Sequence, residues 1–154
     1  MAITGTSVDY SNRLVDLSLY PNISTSGVSV VGNADTSRAI AGVSKVAQNF
    51  SRILLTPLGK YRAYPLLGSN LMARIKGGFV NYDADLLHLF SGESMNVINF
   101  MNSTAPVDAP ADELVYETIL SSYSAARGRF NLEIQLSTFS NDDIKFLLPV
   151  IWNN

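Results

Sequence analysis

Few residues in this sequence have the types and spacing that catalysis or metal binding requires. The chain has no cysteine and a single histidine, His88, which lies among leucines. Thiolate metal sites, cysteine nucleophiles and disulfides are therefore excluded, and so are zinc sites built on several histidines. Gly59 and Gly68 fit neither nucleotide-binding glycine pattern, and the GxSxG nucleophile motif is absent. We expect no cofactor, no metal and no enzymatic activity.

The carboxylates leave one enzymatic alternative open. Two acidic side chains can cleave a glycosidic bond, one as the acid and the other as the base or nucleophile. Glu113 and Glu117, four residues apart, are the pair that a peptidoglycan-degrading glycoside hydrolase would use. The same spacing is typical of a solvated helix flank, and paired acids are far more common than catalytic pairs. The pair therefore does not by itself indicate an enzyme.

The charged residues are divided between two parts of the chain. Residues 36–82 contain seven basic residues and no acidic one, whereas residues 83–126 contain seven acidic residues and no lysine or arginine. Such regions can neutralise each other within one molecule, join copies head to tail, or bind oppositely charged partners. The basic part lacks dense basic clusters with interleaved aromatic residues, so we expect no binding to nucleic acid.

The composition favours a small domain whose surface is partly covered by partners. Only 16% of the 154 residues are charged, against roughly 25% in ordinary soluble domains, and mean hydropathy is +0.15. The alternative is a well-packed domain with an uncharged Ser- and Asn-rich surface. No apolar run approaches the roughly 20 residues of a membrane span, and no secretory signal is visible. We expect residues 1–154 to form one domain that assembles in the cytoplasm without a membrane partner.

The first half of the chain predicts two strands and an amphipathic helix. Residues 13–20 alternate apolar and polar side chains, as a half-buried strand does, and residues 27–31 favour a second short strand. The helix follows capping residues at 35–37 and ends before Pro57. Its apolar stripe consists of Ile40, Val43, Ala47, Phe50 and Leu54. The opposite face carries a basic ridge, Arg38, Lys45 and Arg52. Such a ridge is either solvated or a contact surface, and these three residues are candidate contacts with a partner.

The middle of the chain predicts more helix. Residues 70–75 predict a short helix or strand, and residues 81–102 predict one or two helices with a break near Gly92. Pro110 begins a second main helix, with acidic residues in its first turn. The apolar face of that helix consists of Val115, Tyr116, Ile119, Leu120 and Tyr123.

The last part of the chain predicts two strands. Residues 130–137 alternate strictly between apolar and polar side chains. Residues 144–152 form a final apolar segment, in which Pro149 favours the edge of a sheet. The predicted fold class is α+β, with two main helices packed on a small, largely antiparallel β-sheet.

A compact motif spans the end of the first helix and the turn-rich stretch after it. Within residues 53–71, ILLTPLGKYRAYPLLGSNL, a Leu-Leu-Thr helix end precedes a glycine, a proline six residues later, and Gly-Ser-x-Leu. After Leu54 and Leu55, the motif residues are Thr56, Gly59, Pro65, Gly68, Ser69 and Leu71. This stretch resembles the baseplate wedge proteins of contractile phage tails, also called sheath initiators or tail lysozyme-like proteins. The resemblance covers most of residues 13–137.

Two positions depart from the pattern of that family. Members often have Glu-Arg directly after the motif glycine, where this chain has Lys60 and Tyr61. They usually carry Glu-Pro-Arg before the late strand, a segment that docks with neighbouring wedge proteins. The nearest match here is Ala125-Ala126-Arg127, so only Arg127 carries over as a candidate contact.

The resemblance implies a structural role in a virion. Six copies would ring the tail tube at the top of the baseplate, contact other wedge proteins and tube or hub proteins, and template the first layer of tail sheath protein. Residues 138–154 would form a C-terminal β tail that accepts a sheath segment by strand addition. The candidate interface residues in it are Ile144, Phe146, Leu148, Val150 and Trp152. A generic structural adaptor outside a phage tail is the remaining alternative.

Overall fold

The first long helix begins later than the sequence predicts. A computed structural model describes residues 16–17, 39–40, 42–126 and 129–151. Strands β1 (Asp16–Leu17) and β2 (Ala39–Ile40) pair antiparallel, so Ile40 belongs to a strand and not to the helix. Helix α1 (Gly42–Leu55) ends two residues before Pro57, as predicted. The strand predicted at residues 27–31 lies outside the described residues, as does most of the one at 13–20.

Two further helices follow the turn-rich stretch. Helix α2 (Leu71–Lys76) is the short element predicted at residues 70–75. Helix α3 (Asp83–Thr104) is one continuous helix, so the break considered near Gly92 does not occur. The carboxylate of Asp85 accepts hydrogen bonds from the backbone N–H groups of Asn81 and Tyr82, at 3.1 and 3.0 Å, which fixes the start of α3.

The prediction of a second main helix after Pro110 is wrong. Residues Ala111–Glu113 form a single 3-10 turn, and residues Val115–Ala126 form the long strand β3. The side chain of Asn102, near the end of α3, starts this strand. Its amide nitrogen donates to the Val115 carbonyl at 2.8 Å, and its oxygen accepts from the Val115 N–H at 3.0 Å. The second main helix of the fold is α3, which precedes Pro110.

The sheet is a three-stranded antiparallel meander. Strand β4 (Arg129–Thr138) confirms the strand predicted at residues 130–137, and β5 (Asp143–Ile151) confirms the final strand. The strand order is β3-β4-β5, with β4 in the centre. Strand β3 has two register irregularities against β4, between Val115 and Glu117 and between Leu120 and Ser122.

The helices cover one face of this sheet. A single buried cluster joins α1, α2 and α3 to all three strands; its fully buried large side chains include Phe50, Leu54, Leu71, Leu86, Val97, Leu132, Ile134 and Leu136. The other face of β4 carries the half-buried polar residues Asn131, Glu133, Gln135 and Ser137. The predicted α+β fold, with two main helices packed on an antiparallel sheet, is confirmed.

Candidate interaction site

Strand β5 has one unpaired flank in the part of the chain that the structure describes. It pairs antiparallel with β4 along its whole length, from Ser137↔Asp143 to Arg129↔Ile151, and no other described strand borders it. The predicted edge position is therefore confirmed. A row of backbone N–H and C=O groups on this flank has no strand partner, which is the feature that another polypeptide can extend.

Four of the predicted interface side chains of β5 face the core and not a partner. Phe146, Leu148 and Val150 are buried in the core cluster, and Ile144 is packed against it. These four candidate residues therefore hold the strand in place and offer a partner only their backbone. The opposite face of β5 carries Lys145, Leu147 and Pro149, which are exposed or half-buried. Trp152 lies outside the described residues.

Residues 57–68 form a loop whose two ends are joined by backbone hydrogen bonds. The N–H of Ser69 donates to the Thr56 carbonyl at 2.8 Å, and the N–H of Leu58 donates to the Ser69 carbonyl at 3.1 Å. The Ser69 hydroxyl donates to the Leu54 carbonyl in the last turn of α1 and accepts from the N–H of Leu71 at 3.2 Å. This arrangement, which we call the pinned loop, fixes α1 relative to α2.

The motif residues have structural roles at the base of the pinned loop. The Thr56 hydroxyl donates to the Arg52 carbonyl at 2.7 Å and closes the end of α1. Gly68, with φ +121°, lets the two ends approach, because a Cβ there would lie 2.6 Å from the Thr56 carbonyl oxygen. Leu71 is fully buried in the core, whereas Gly59 and Pro65 lie in the exposed part of the loop.

The pinned loop exposes large side chains to solvent. Tyr61, Tyr64 and Leu66 are 50%, 61% and 74% exposed. We define the loop patch as these three residues together with Leu58, Lys60 and Arg62, all of which are exposed. Large apolar and aromatic side chains exposed close together in the sequence make this loop a candidate contact site. The sequence analysis did not predict this patch. The signal that could have identified it is the run of tyrosines and leucines among the glycines and prolines of residues 57–68.

Two residues of the predicted basic ridge, the half-buried Lys45 and the exposed Arg52, line one cleft of about 300 Å³. The Lys45 ammonium lies 2.7 Å from the Glu113 carboxylate, and these two side chains are only 14% and 10% exposed. For this pair, neutralisation within one molecule is the alternative that the structure shows. Arg52 is exposed, donates to the Asn49 side chain at 3.0 Å, and lines a shallow cleft of about 270 Å³ with Tyr61 and Tyr64. Arg38 and Arg127 lie outside the described residues.

The acidic residues mostly have structural partners. Glu93 is buried, and its carboxylate accepts the N–H of Asn70 at the start of α2, at 2.9 Å. Glu133 accepts the Ser122 hydroxyl across β3 and β4 at 2.7 Å. Glu113 precedes β3 and Glu117 lies on it, so the two do not share a helix flank.

Other chemistry-bearing groups are few in the described residues. His88 is exposed on α3. No group of His, Asp or Glu side chains in residues 42–126 and 129–151 is placed to hold a metal ion. Among the described helices, none is long and apolar enough to cross a membrane.

Comparison with known proteins identifies no relative: no family model, no curated protein and no solved structure matches this chain. The geometry of the chain itself therefore carries the functional argument. In the part of the chain that the structure describes, the unpaired flank of β5 and the loop patch are accessible to a partner.

Proposed function

We propose that this chain is a structural protein that binds a partner polypeptide by strand addition along the free flank of β5. The supporting observation is that β5 pairs on one side only, in the described part of the chain, while its inward side chains are fixed in the core. Backbone hydrogen bonds would supply the affinity, and the outward side chains of β5 would set the register of the added strand.

The edge is held ready for such a partner. Phe146, Leu148 and Val150 anchor β5 to the helices, and β4 fixes its direction. A strand that is already ordered loses little conformational entropy when another strand joins it. The partner alone then bears the cost of becoming ordered, so a short extended segment is sufficient to bind.

Pro149 indicates which positions of β5 face the free flank. Proline has no N–H, and within a sheet it is tolerated where its nitrogen points away from the neighbouring strand. Backbone directions alternate along a strand, so Lys145 and Leu147 point the same way as Pro149. We infer that the N–H groups of residues 145 and 147 are the donors available to an added strand.

The biological setting that we propose is the baseplate of a contractile phage tail. The support is the resemblance of the motif between Leu54 and Leu71, combined with an α+β fold that ends in an edge strand. In this setting six copies ring the tail tube, contact other wedge proteins and the hub, and receive the first tail sheath subunits at β5. The chain would be a virion component with no enzymatic role.

The test is a single substitution that removes one donor from the free flank. Deleting residues 144–154 would not serve, because it would also remove core side chains. Lys145→Pro removes the outward N–H of an exposed residue, and Lys145→Ala is the matched control that keeps it. We expect Lys145→Pro to weaken sheath binding at least about tenfold, as loss of a buried backbone hydrogen bond requires. Electron microscopy of baseplates incubated with sheath protein measures the fraction that carry sheath.

Folding must be shown for both variants by their circular dichroism and cooperative thermal unfolding. If folded Lys145→Pro nucleates sheath as well as the unmodified chain does, strand addition at β5 is wrong. Loss of nucleation in Lys145→Ala as well would assign the contact to the lysine side chain instead.

A further inference from the structure

The loop patch is basic and has no acidic neighbour of its own. Lys60 and Arg62 are exposed and make no ion pair with any described residue. Arg52, in the adjoining cleft, hydrogen-bonds to the neutral side-chain amide of Asn49. The large exposed side chains of the patch include Tyr61, Tyr64 and Leu66. Aromatic and arginine side chains are enriched in protein–protein contacts.

A second exposed patch combines aromatic and acidic residues on β3, the turn between β4 and β5, and the start of β5. Tyr116 and Phe139 are 65% and 55% exposed, and their rings meet edge to face with centroids 5.4 Å apart. Glu117 and Asp143 lie in one row across the sheet, since both are in register with Ser137 of β4. We define the sheet patch as Tyr116, Glu117, Phe139, Asp142 and Asp143, all exposed. The basic residue nearest to this row in the sheet is Lys145, two residues after Asp143 on β5.

We propose that the loop patch of one copy of this chain binds the sheet patch of a second copy. Each patch offers exposed aromatic side chains, and the charged residues of the two patches have opposite signs. A second copy fits better than an unrelated acidic partner because the complementary surface is present on the same chain. Lys45 is already paired with Glu113 within the molecule, and neither residue belongs to either patch.

The two patches share no residue, so the contact is head to tail. Such a heterologous contact leaves one free patch at each end and generates a ring if the rotation between copies closes. The inference deepens the proposed function, since it supplies a contact between neighbouring copies in a ring. It uses side chains of the loop and the sheet and not the backbone flank of β5, so the two proposals can fail separately.

Sedimentation velocity of the full chain tests the contact. We expect the unmodified chain to associate at about 100 µM in low salt, a concentration suited to weak contacts. The association should weaken at about 1 M salt, where the Debye length is only about 3 Å. A chain that stays monomeric in low salt at this concentration overturns the proposal.

Charge reversal identifies the surfaces. Lys60→Glu/Arg62→Glu and, separately, Glu117→Lys/Asp143→Lys should each weaken self-association at least about tenfold, because each puts like charges opposite one another. Mixing the two variants should restore association, since every contact in the mixture again joins opposite charges. Mixed variants that remain monomeric overturn the pairing of these two patches.

Two controls keep the result specific. Arg74→Glu/Lys76→Glu makes the same charge change on the exposed side of α2, outside the loop patch, and should leave association unchanged. An equal loss in this control would overturn the assignment to the loop patch. Lys145→Pro should also associate normally, so that a failure of strand addition and a failure of self-association are distinguished.

Discussion

At the scale of single residues, two glycines of the motif have different physical reasons to be glycine. Gly68 has φ +121°, and an added Cβ would lie within 3 Å of three backbone atoms of residues 56–58. Gly59 also has a positive φ, +75°, but an added Cβ there would meet nothing within 4 Å. The first glycine permits a close backbone approach, and the second only a left-handed turn.

We therefore expect Gly68→Ala to lower the free energy of unfolding by about 3 kcal/mol or more, because backbone strain and the steric collision add. Gly59→Ala should cost only about 1–2 kcal/mol, the price of a left-handed conformation for a residue with a Cβ. Urea unfolding followed by circular dichroism measures both. Equal losses would contradict the role of the close approach in pinning the loop.

At the scale of elements, the Lys45–Glu113 ion pair joins α1 to the 3-10 turn before β3. One carboxylate oxygen of Glu113 lies 2.7 Å from the ammonium, and the other is buried without a hydrogen-bond donor in the described part of the chain. Lys45→Met leaves that buried carboxylate uncompensated and should cost about 3 kcal/mol. Lys45→Met/Glu113→Leu removes both charges and should recover most of the loss.

Urea unfolding of Lys45→Met, of Glu113→Leu and of the double variant completes the double-mutant cycle for this pair. A Lys45→Met chain within about 0.5 kcal/mol of the unmodified chain would show that the pair behaves as an exposed one. The same result would return Lys45 to the set of residues available to a partner.

At the scale of the whole molecule, β5 is an integral part of the fold. Its inward residues Phe146, Leu148 and Val150 belong to the same buried cluster as Phe50 of α1. Each such side chain stabilises the fold by about 1.5–3 kcal/mol when buried, out of a total of about 5–15 kcal/mol for a domain. The proposed strand addition would therefore use a strand whose side chains are part of the core of the domain.

A chain that ends at residue 143 should consequently lose cooperative thermal unfolding, since its helices would have no third strand to cover. A chain that lacks only residues 152–154 keeps all of β5 and is the control. Differential scanning calorimetry shows the presence or absence of the transition. A sharp transition in the shorter chain would mean that β5 is a detachable tail.

The sequence predicted the local elements whose pattern has a single period. Strict alternation over residues 130–137 identified β4, and Pro149 placed the last strand at an edge. Apolar residues at three- and four-residue steps identified α1, and Pro57 identified its end. In each case the side-chain spacing matches one backbone geometry and no other, so no distant residue is needed to decide it.

Three features depend on the tertiary structure: that residues 115–126 form a strand, where α1 begins, and which side chain Lys45 contacts. Strand β3 has two irregularities in register, so its buried residues Val115 and Leu120 are an odd number of positions apart. The two-residue period of a strand is therefore not visible in the sequence, and the apolar spacing resembles that of a helix. Pairing with β1, distant in the chain, makes Ile40 part of a strand. Likewise, Lys45 is paired within the molecule because Glu113, 68 positions away, folds against it. Local spacing cannot encode these outcomes, since each depends on a partner that only folding brings near.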